Sequence, residues 1–170
     1  MSGLMRIGDL QVHQDLPHER LEWKLERVGW VVMALALLAA LAGLLGPGPL
    51  SRATAGQDGS PLWVQYNRLA RYQAPESLQV HIGPGAARGG TIRVWLSREY
   101  VRNMELNNID PEPESVEVGP ERSTYTFNLS DSDQPSILMF RFEANRFGKM
   151  PAALGLEGGP QVAFTQFIYP

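Results

Sequence analysis

Residues 77–97 read SLQVHIGPGAARGGTIRVWLS. In Ser77–Gly83 the apolar Leu78, Val80 and Ile82 alternate with Gln79 and His81, and in Thr91–Ser97 Ile92, Val94 and Leu96 alternate with Arg93 and Trp95. A period of two puts successive side chains on opposite faces of an extended chain, so both runs are expected as strands with one buried face. Trp95 falls on the side of Arg93, away from the aliphatic face. Gly83-Pro84-Gly85 and Arg88-Gly89-Gly90 between the runs are turn chemistry. This glycine-rich connection lacks the Gly-Lys-Ser/Thr ending and the following helix that a phosphate-binding loop needs, so it reads as a hairpin.

The same alternation recurs downstream. Tyr125, Phe127 and Leu129 share one face of Thr124–Ser130. Ile137–Ala144 is more continuously apolar, with Leu138, Phe140 and Phe142 opposite Met139 and Arg141, as suits a central strand. Gln161–Tyr169 sets Val162, Phe164, Gln166 and Ile168 on one side. Leu62–Tyr72 is open between an irregular first strand, with Leu62, Val64 and Tyr66 inward, and a helix; the turn at Ala74-Pro75-Glu76 favours the strand. Tyr100–Ile109 is open between one turn of helix and a strand. Turns at Asp110-Pro111-Glu112-Pro113, Gly119-Pro120, Asp131-Ser132-Asp133 and Gly158-Gly159-Pro160 punctuate these runs, and short strands at that spacing imply an antiparallel sandwich over 61–170.

The order of these runs resembles immunoglobulin-like domains: an opening strand, a Gly/Pro turn, two strands about ten residues apart, the Ile109–Pro113 bend and three closing strands. The resemblance covers Leu62–Pro170 and implies a mainly-β, immunoglobulin-like β-sandwich. The cysteine pair of that family is absent, because the chain has no cysteine at all. The whole plan is similar to small single-span proteins of bacterial inner membranes.

That second likeness rests on the N-terminal part. No residue between Arg27 and Arg52 is charged, and Val28–Leu45 consists almost wholly of Leu, Ala and Val. As a helix it would span roughly 27 Å, close to the hydrocarbon thickness of a bilayer. The expected plan is a tail over 1–16, a juxtamembrane helix over 17–27 started by Asp15 and Pro17, and a transmembrane helix over 28–45. A flexible Gly/Pro/Ser spacer over 46–60 then leads to the sandwich. Trp30, Leu35, Leu38, Leu41 and Leu45 are the anchor residues. Ala36, Ala39, Ala40 and Gly43 form small-xxx-small pairs that allow close helix packing. Arg20, Lys24 and Arg27 precede the span and only Arg52 closely follows it, which places the N-terminus in the cytoplasm and the sandwich in the periplasm or outside the cell. Ala53-Thr54-Ala55 is a possible signal-peptidase triplet, so cleavage before Gly56 is the alternative.

With 15 Lys+Arg against 18 Asp+Glu the net charge is −3, which excludes a generally basic nucleic-acid binder. The missing cysteines exclude disulfides, thiolate metal sites and a cysteine nucleophile. His13 and His18 are not spaced to share a helical face, and His81 has no marked catalytic partner. Asn128, Asp131 and Asp133 are too few for Ca²⁺ and read as turn formers. The acidic run Asp110, Glu112, Glu114, Glu117 and Glu121 reads as a solvated edge, with a basic partner surface as the sharper alternative. No catalytic, cofactor-binding or metal residue is therefore assigned, and no cofactor is expected. Arg98, Arg102, Arg141, Arg146, Phe147 and Tyr169 form the expected interaction patch. The functional expectation is a non-enzymatic accessory or scaffold protein that binds the lipid bilayer and another integral membrane or envelope protein. An extracytoplasmic small-ligand or glycan module is the alternative.

Overall fold

A computed structural model describes residues 16–41, 48–86, 90–129 and 134–170. Contacts divide the chain into two compact units, 1–39 and 40–170. The first is dominated by α1 (Leu16–Leu41), which runs without interruption through the expected boundary at 27. Its large apolar side chains lie in solvent, with Trp30 64%, Leu35 60%, Leu38 62% and Leu41 79% exposed.

Among the described residues no helix is long and apolar enough to cross a membrane. The reason lies in the residue order. Lys24, Glu26 and Arg27 charge the first part of α1, and the described helix ends at Leu41. The described uncharged part, 28–41, is roughly 14 residues, or about 21 Å against the ~30 Å hydrocarbon core. Of the expected span over 28–45, residues 28–41 are helical; Gly43 and Leu45 lie outside the described residues.

The second unit is a two-sheet β-sandwich, with strands numbered in chain order. One sheet has the spatial order β1 (Arg52–Ala55), β2 (Leu62–Asn67), β4 (Pro75–Ile82), β9 (Ser136–Ala144) and β6 (Met104–Asp110). The other has β3 (Leu69–Arg71), β11 (Gln161–Tyr169), β10 (Gly148–Leu156), β5 (Thr91–Ser97), β8 (Arg122–Asn128) and β7 (Ser115–Val118). A single helical turn, α2 (Arg98–Arg102), leads from β5 towards β6. Both readings of Tyr100–Ile109 are thus partly met, a turn of helix followed by a strand.

The inward faces are those the alternation predicts: Leu78, Val80 and Ile82 on β4, Ile92, Val94 and Leu96 on β5, and Leu138, Phe140 and Phe142 on β9, all buried. Leu62 and Val64 are buried on β2, which resolves Leu62–Asn67 as a strand. Across the sandwich the ring of Phe140 meets Tyr125 and Phe127 edge-on, with centroids 5.4 and 6.3 Å away, the geometry that aromatic quadrupoles favour.

Three features depart from the expected plan. The sheets are not wholly antiparallel, because β3 runs parallel to β11. The segment expected as a flexible spacer carries β1, paired with β2 in the register Arg52↔Asn67 to Ala55↔Val64. Its inward residues are only Ala53 and Ala55, too small to signal a strand by hydrophobicity. Strand β10 alternates Met150, Ala152 and Leu154 inward against Pro151, Ala153 and Gly155 outward, so the polar half of the pattern is missing. The outward position of Trp95 accounts for Gly155: a Cβ there would come within 2.7 Å of the indole ring.

This packing makes opposite demands on the two faces of β9. Phe140→Ala should destabilise the sandwich by about 3–5 kcal/mol through the lost aromatic contacts and the cavity. Ile137→Ala, on the outer face at 52% exposure, should stay within about 0.5 kcal/mol of the parent. Urea unfolding followed by Trp fluorescence checks both, and a large loss at Ile137 would show that the register is wrong.

Candidate functional site

The outer face of the β1-β2-β4-β9-β6 sheet bears its side chains in rows that cross the strands. Trp63, His81 and Ile137 form one row, and Gln65, Gln79 and Met139 the next. A third joins Arg52 to Asn67 on one side of the sheet, and Ser77 to Arg141 and Asn108 on the other. Asn67 and Ser77 close the row by lining the same cleft. The sheet thus presents an apolar band beside a polar one.

In the apolar band the rings of Trp63 and His81 stack at 3.6 Å, within 6° of parallel. The imidazole Nε2 is buried there without a hydrogen-bond partner. Burial lowers the His81 pKa, with the carboxylate of Asp58 opposing, so the neutral ring is favoured. Ile137 is 52% exposed beside this stack.

The polar band is concave. A cleft of about 640 Å³ is lined by Arg52, Thr54, Gln65, Asn67, Arg68 and Gln79 among others, and a smaller one of about 350 Å³ continues past Asn67 and Ser77 to Asn108 and Arg141. Ser51, fully buried, sets the two arginines at its rim. Its Oγ donates to the Leu69 carbonyl (2.8 Å) and accepts from the Leu69 amide (3.2 Å), and its carbonyl accepts from the Arg68 amide (2.6 Å). The Arg68 carbonyl in turn accepts from the Phe167 amide (2.7 Å). Arg52 and Arg68 are therefore displayed from pinned backbone. Neither has an ion-pair partner among the described residues, where Arg93 forms the salt bridges, to Glu117 and Glu157.

Beneath the cleft a polar chain enters the core. Asn67 Nδ2 donates to Glu76 Oε2 (2.8 Å), and the Asn67 carbonyl accepts from Gln166 Nε2 (2.9 Å). Gln166 Oε1 accepts from the hydroxyl of Tyr100. Gln166 is fully buried and Tyr100 is 1% exposed, so each satisfies a group the other would leave stranded. Burial raises the Tyr100 pKa well above its usual value, helped by the negative charge of Glu76 and by Tyr66. Glu76 is itself raised by burial, against the lowering effect of the Asn67 bond.

The residues of the expected patch are distributed over the sandwich. Arg141 lies on the outer face of β9, beside the smaller cleft. Arg102 and Arg146 are drawn towards one end by the bond from the Asn145 amide to the Asn103 carbonyl (2.9 Å). Phe147 packs on Tyr72 (4.2 Å between centroids), and the Tyr72 amide bonds to the carbonyl of Tyr169. Arg98 is turned towards the β7–β8 connection, its amide bonded to the Glu121 carbonyl. Sequence reasoning missed Trp63, Gln65, Gln79 and Arg52 as one surface. The alternation that marks Trp63 and Gln65 as outward was available; the cross-strand register was not. Asp131 and Asp133 lie outside the described residues, as do His13, Gly43 and Leu45. Among the described residues no group of three or more His, Asp or Glu could hold a metal ion.

No protein-family model matches this sequence, and no curated protein matches it significantly. Among solved structures, a non-cellulosomal cohesin from the hyperthermophilic archaeon Archaeoglobus fulgidus is similar with a TM-score of 0.40 and 18% identity, over 60% of this chain and 86% of that one. A chain of the CaDoc0917–CaCohA2 complex is similar with a TM-score of 0.40 and 11% identity, over 59% of this chain and 92% of that one. The sandwich described above stands on its own strand pairing.

Two measurements test the polar chain. Tyr100→Phe leaves Gln166 Oε1 buried and unsatisfied and should cost about 1–3 kcal/mol. Glu76 acts through pH: because its folded pKa is raised, its favourable contribution is complete below the unfolded value near 4.5 and is lost as pH rises through the folded value. Glu76→Gln keeps an acceptor for Asn67 and removes the buried charge. Its urea midpoint should exceed that of the parent by more at pH 7 than at pH 4; an equal difference at both would show that the carboxylate is not penalised.

Proposed function

We propose that this chain is a non-catalytic binding module whose sandwich engages another integral membrane or envelope protein through the outer face of the β1-β2-β4-β9-β6 sheet. The observation that carries the reading is the apolar band of Trp63 and the exposed Ile137, with Met139 on the neighbouring row, within a polar surround. Protein interfaces are built in that way, with an apolar centre enriched in Trp and Met and a polar rim. No described helix or loop supplies a catalytic constellation on this face.

The apolar segment 28–45 is proposed to hold the module at a cytoplasmic membrane, with the N-terminus cytoplasmic and the sandwich exported. The support is the exposure of α1, where Val31, Leu35, Leu38 and Leu41 are each more than half in solvent. Leaving such side chains wet costs about 1.5–3 kcal/mol each relative to burial. Ala42–Leu45 would extend the uncharged run to the length a bilayer requires. The Ala53-Thr54-Ala55 triplet has a structural role in β1, and cleavage after Ala55 would strip that strand from the sheet edge. The uncleaved anchor is accordingly preferred.

A photo-crosslinking residue placed at position 137 in cells should give a discrete adduct with a membrane or envelope protein, abolished by Trp63→Ala. Crosslinking only from position 167, on the outer face of the other sheet, would reject this assignment. Alkaline extraction should leave the full-length chain in the membrane fraction and release a Leu35→Arg/Leu38→Arg variant. Release of both, or a mature mass beginning at Gly56, would reject the anchor.

A further inference from the structure

The cleft beside the apolar band has a charge that the proposed function does not use. Arg52 and Arg68 stand at its rim without counter-charges among the described residues, and Arg141 stands on the same row farther across the sheet, where Glu76 and Glu143 also line the smaller cleft. Gln65, Gln79 and Asn67 between them offer amide donors and acceptors. Three guanidinium groups left unpaired on one preorganised face form a receptor for carboxylates, since each can present parallel N–H donors to a carboxylate at little cost in reorganisation. We propose that the cleft takes an extended acidic segment of a partner protein, lying across the strands from Arg52 and Arg68 towards Arg141. This rests on the reading of the same face as a protein-binding surface.

The spacing specifies the segment further. Arg52 and Arg141 stand on strands three neighbours apart, about 14 Å at the usual interstrand distance. An extended peptide covers that in about four residues, and side chains four positions apart emerge on the same side. Two acidic residues at i and i+4 would thus reach both ends of the cleft. An acidic saccharide is the competing ligand for such polar walls. It is disfavoured because the aromatic side chains nearby are engaged: one face of Trp63 is covered by His81, and Tyr66 is turned against Phe164, 4.4 Å between centroids.

The test uses full-length protein in detergent and a fluorescein-labelled twelve-residue Gly/Ser peptide with Glu at its second, sixth and tenth positions. Anisotropy should report binding that weakens at least about tenfold when Arg52→Glu and Arg68→Glu are combined, and that falls steeply as NaCl is raised. The same peptide with Lys in place of Glu should not bind, and tetragalacturonate should not compete. Unchanged circular dichroism and melting of the double variant establish that it is folded. The less disruptive Arg52→Gln/Arg68→Gln pair serves if it is not. Absence of binding, insensitivity to the arginine changes, or binding of tetragalacturonate in preference to the peptide overturns the proposal. Failure here with the position-137 adduct intact removes only the acidic segment; loss of that adduct as well removes the binding face.

Discussion

The fold depends on aromatic and aliphatic packing between two sheets that no disulfide joins. Phe140 on β9 meets Tyr125 and Phe127 on β8, and Phe142 meets Tyr100 edge-on at 5.9 Å. A sandwich without disulfides has to obtain its cohesion from such contacts and from burial of residues like Leu78, Val80 and Leu138, all 0% exposed. The cost of that solution is that a polar group buried in the packing loses free energy unless it finds a partner there. The Tyr100–Gln166–Asn67–Glu76 chain meets that demand while tying α2, β11, β2 and β4 together.

The same chain links the core to the surface. Asn67 uses its carbonyl to satisfy Gln166 below and its amide to hold Glu76, and it also lines the cleft above. Ser51 does the equivalent for the rim, fixing the backbone on either side of Arg52 and Arg68. A cleft whose floor and rim are both hydrogen-bonded into the sandwich loses little freedom when a ligand arrives, so more of the contact energy appears as affinity. Rigidity here comes from the fold and not from the ligand.

The sequence made the inward half of this structure legible and the outward half much less so. Leu78/Val80/Ile82 and Ile92/Val94/Leu96 announce their strands because a buried face demands apolar residues at period two. Strands β1 and β10 escape that logic, since Ala53, Ala55 and Ala152 are buried yet too small to mark an apolar face, and Gly155 is small to admit Trp95. The binding face was illegible for a different reason. Arg52, Gln65, Gln79 and Arg141 come from four strands far apart in the chain, and only register brings them into adjacent rows. Of the arginines that the sequence grouped, Arg102 and Arg146 lie towards one end through the Asn145–Asn103 bond, and Arg141 stands on the outer face of β9.

Register also sorts charge in a way that the net value of −3 conceals. Acidic residues gather along β7 and its flanks, at Glu112, Glu114, Glu117 and Glu121, while Arg52 and Arg68 stand at the β1–β2 end of the other sheet. Strand β7 is an edge with Val116 47% and Val118 62% exposed, which left bare would invite pairing with a second copy. In an edge-to-edge pair the glutamates would face one another, and like charges directly opposite are destabilising. The charge that guards β7 therefore also repels an acidic partner from that edge. By the same electrostatics an acidic segment would meet repulsion at β7 and attraction at Arg52 and Arg68, so one distribution of charge disfavours the β7 edge both for self-pairing and for the ligand proposed for the cleft.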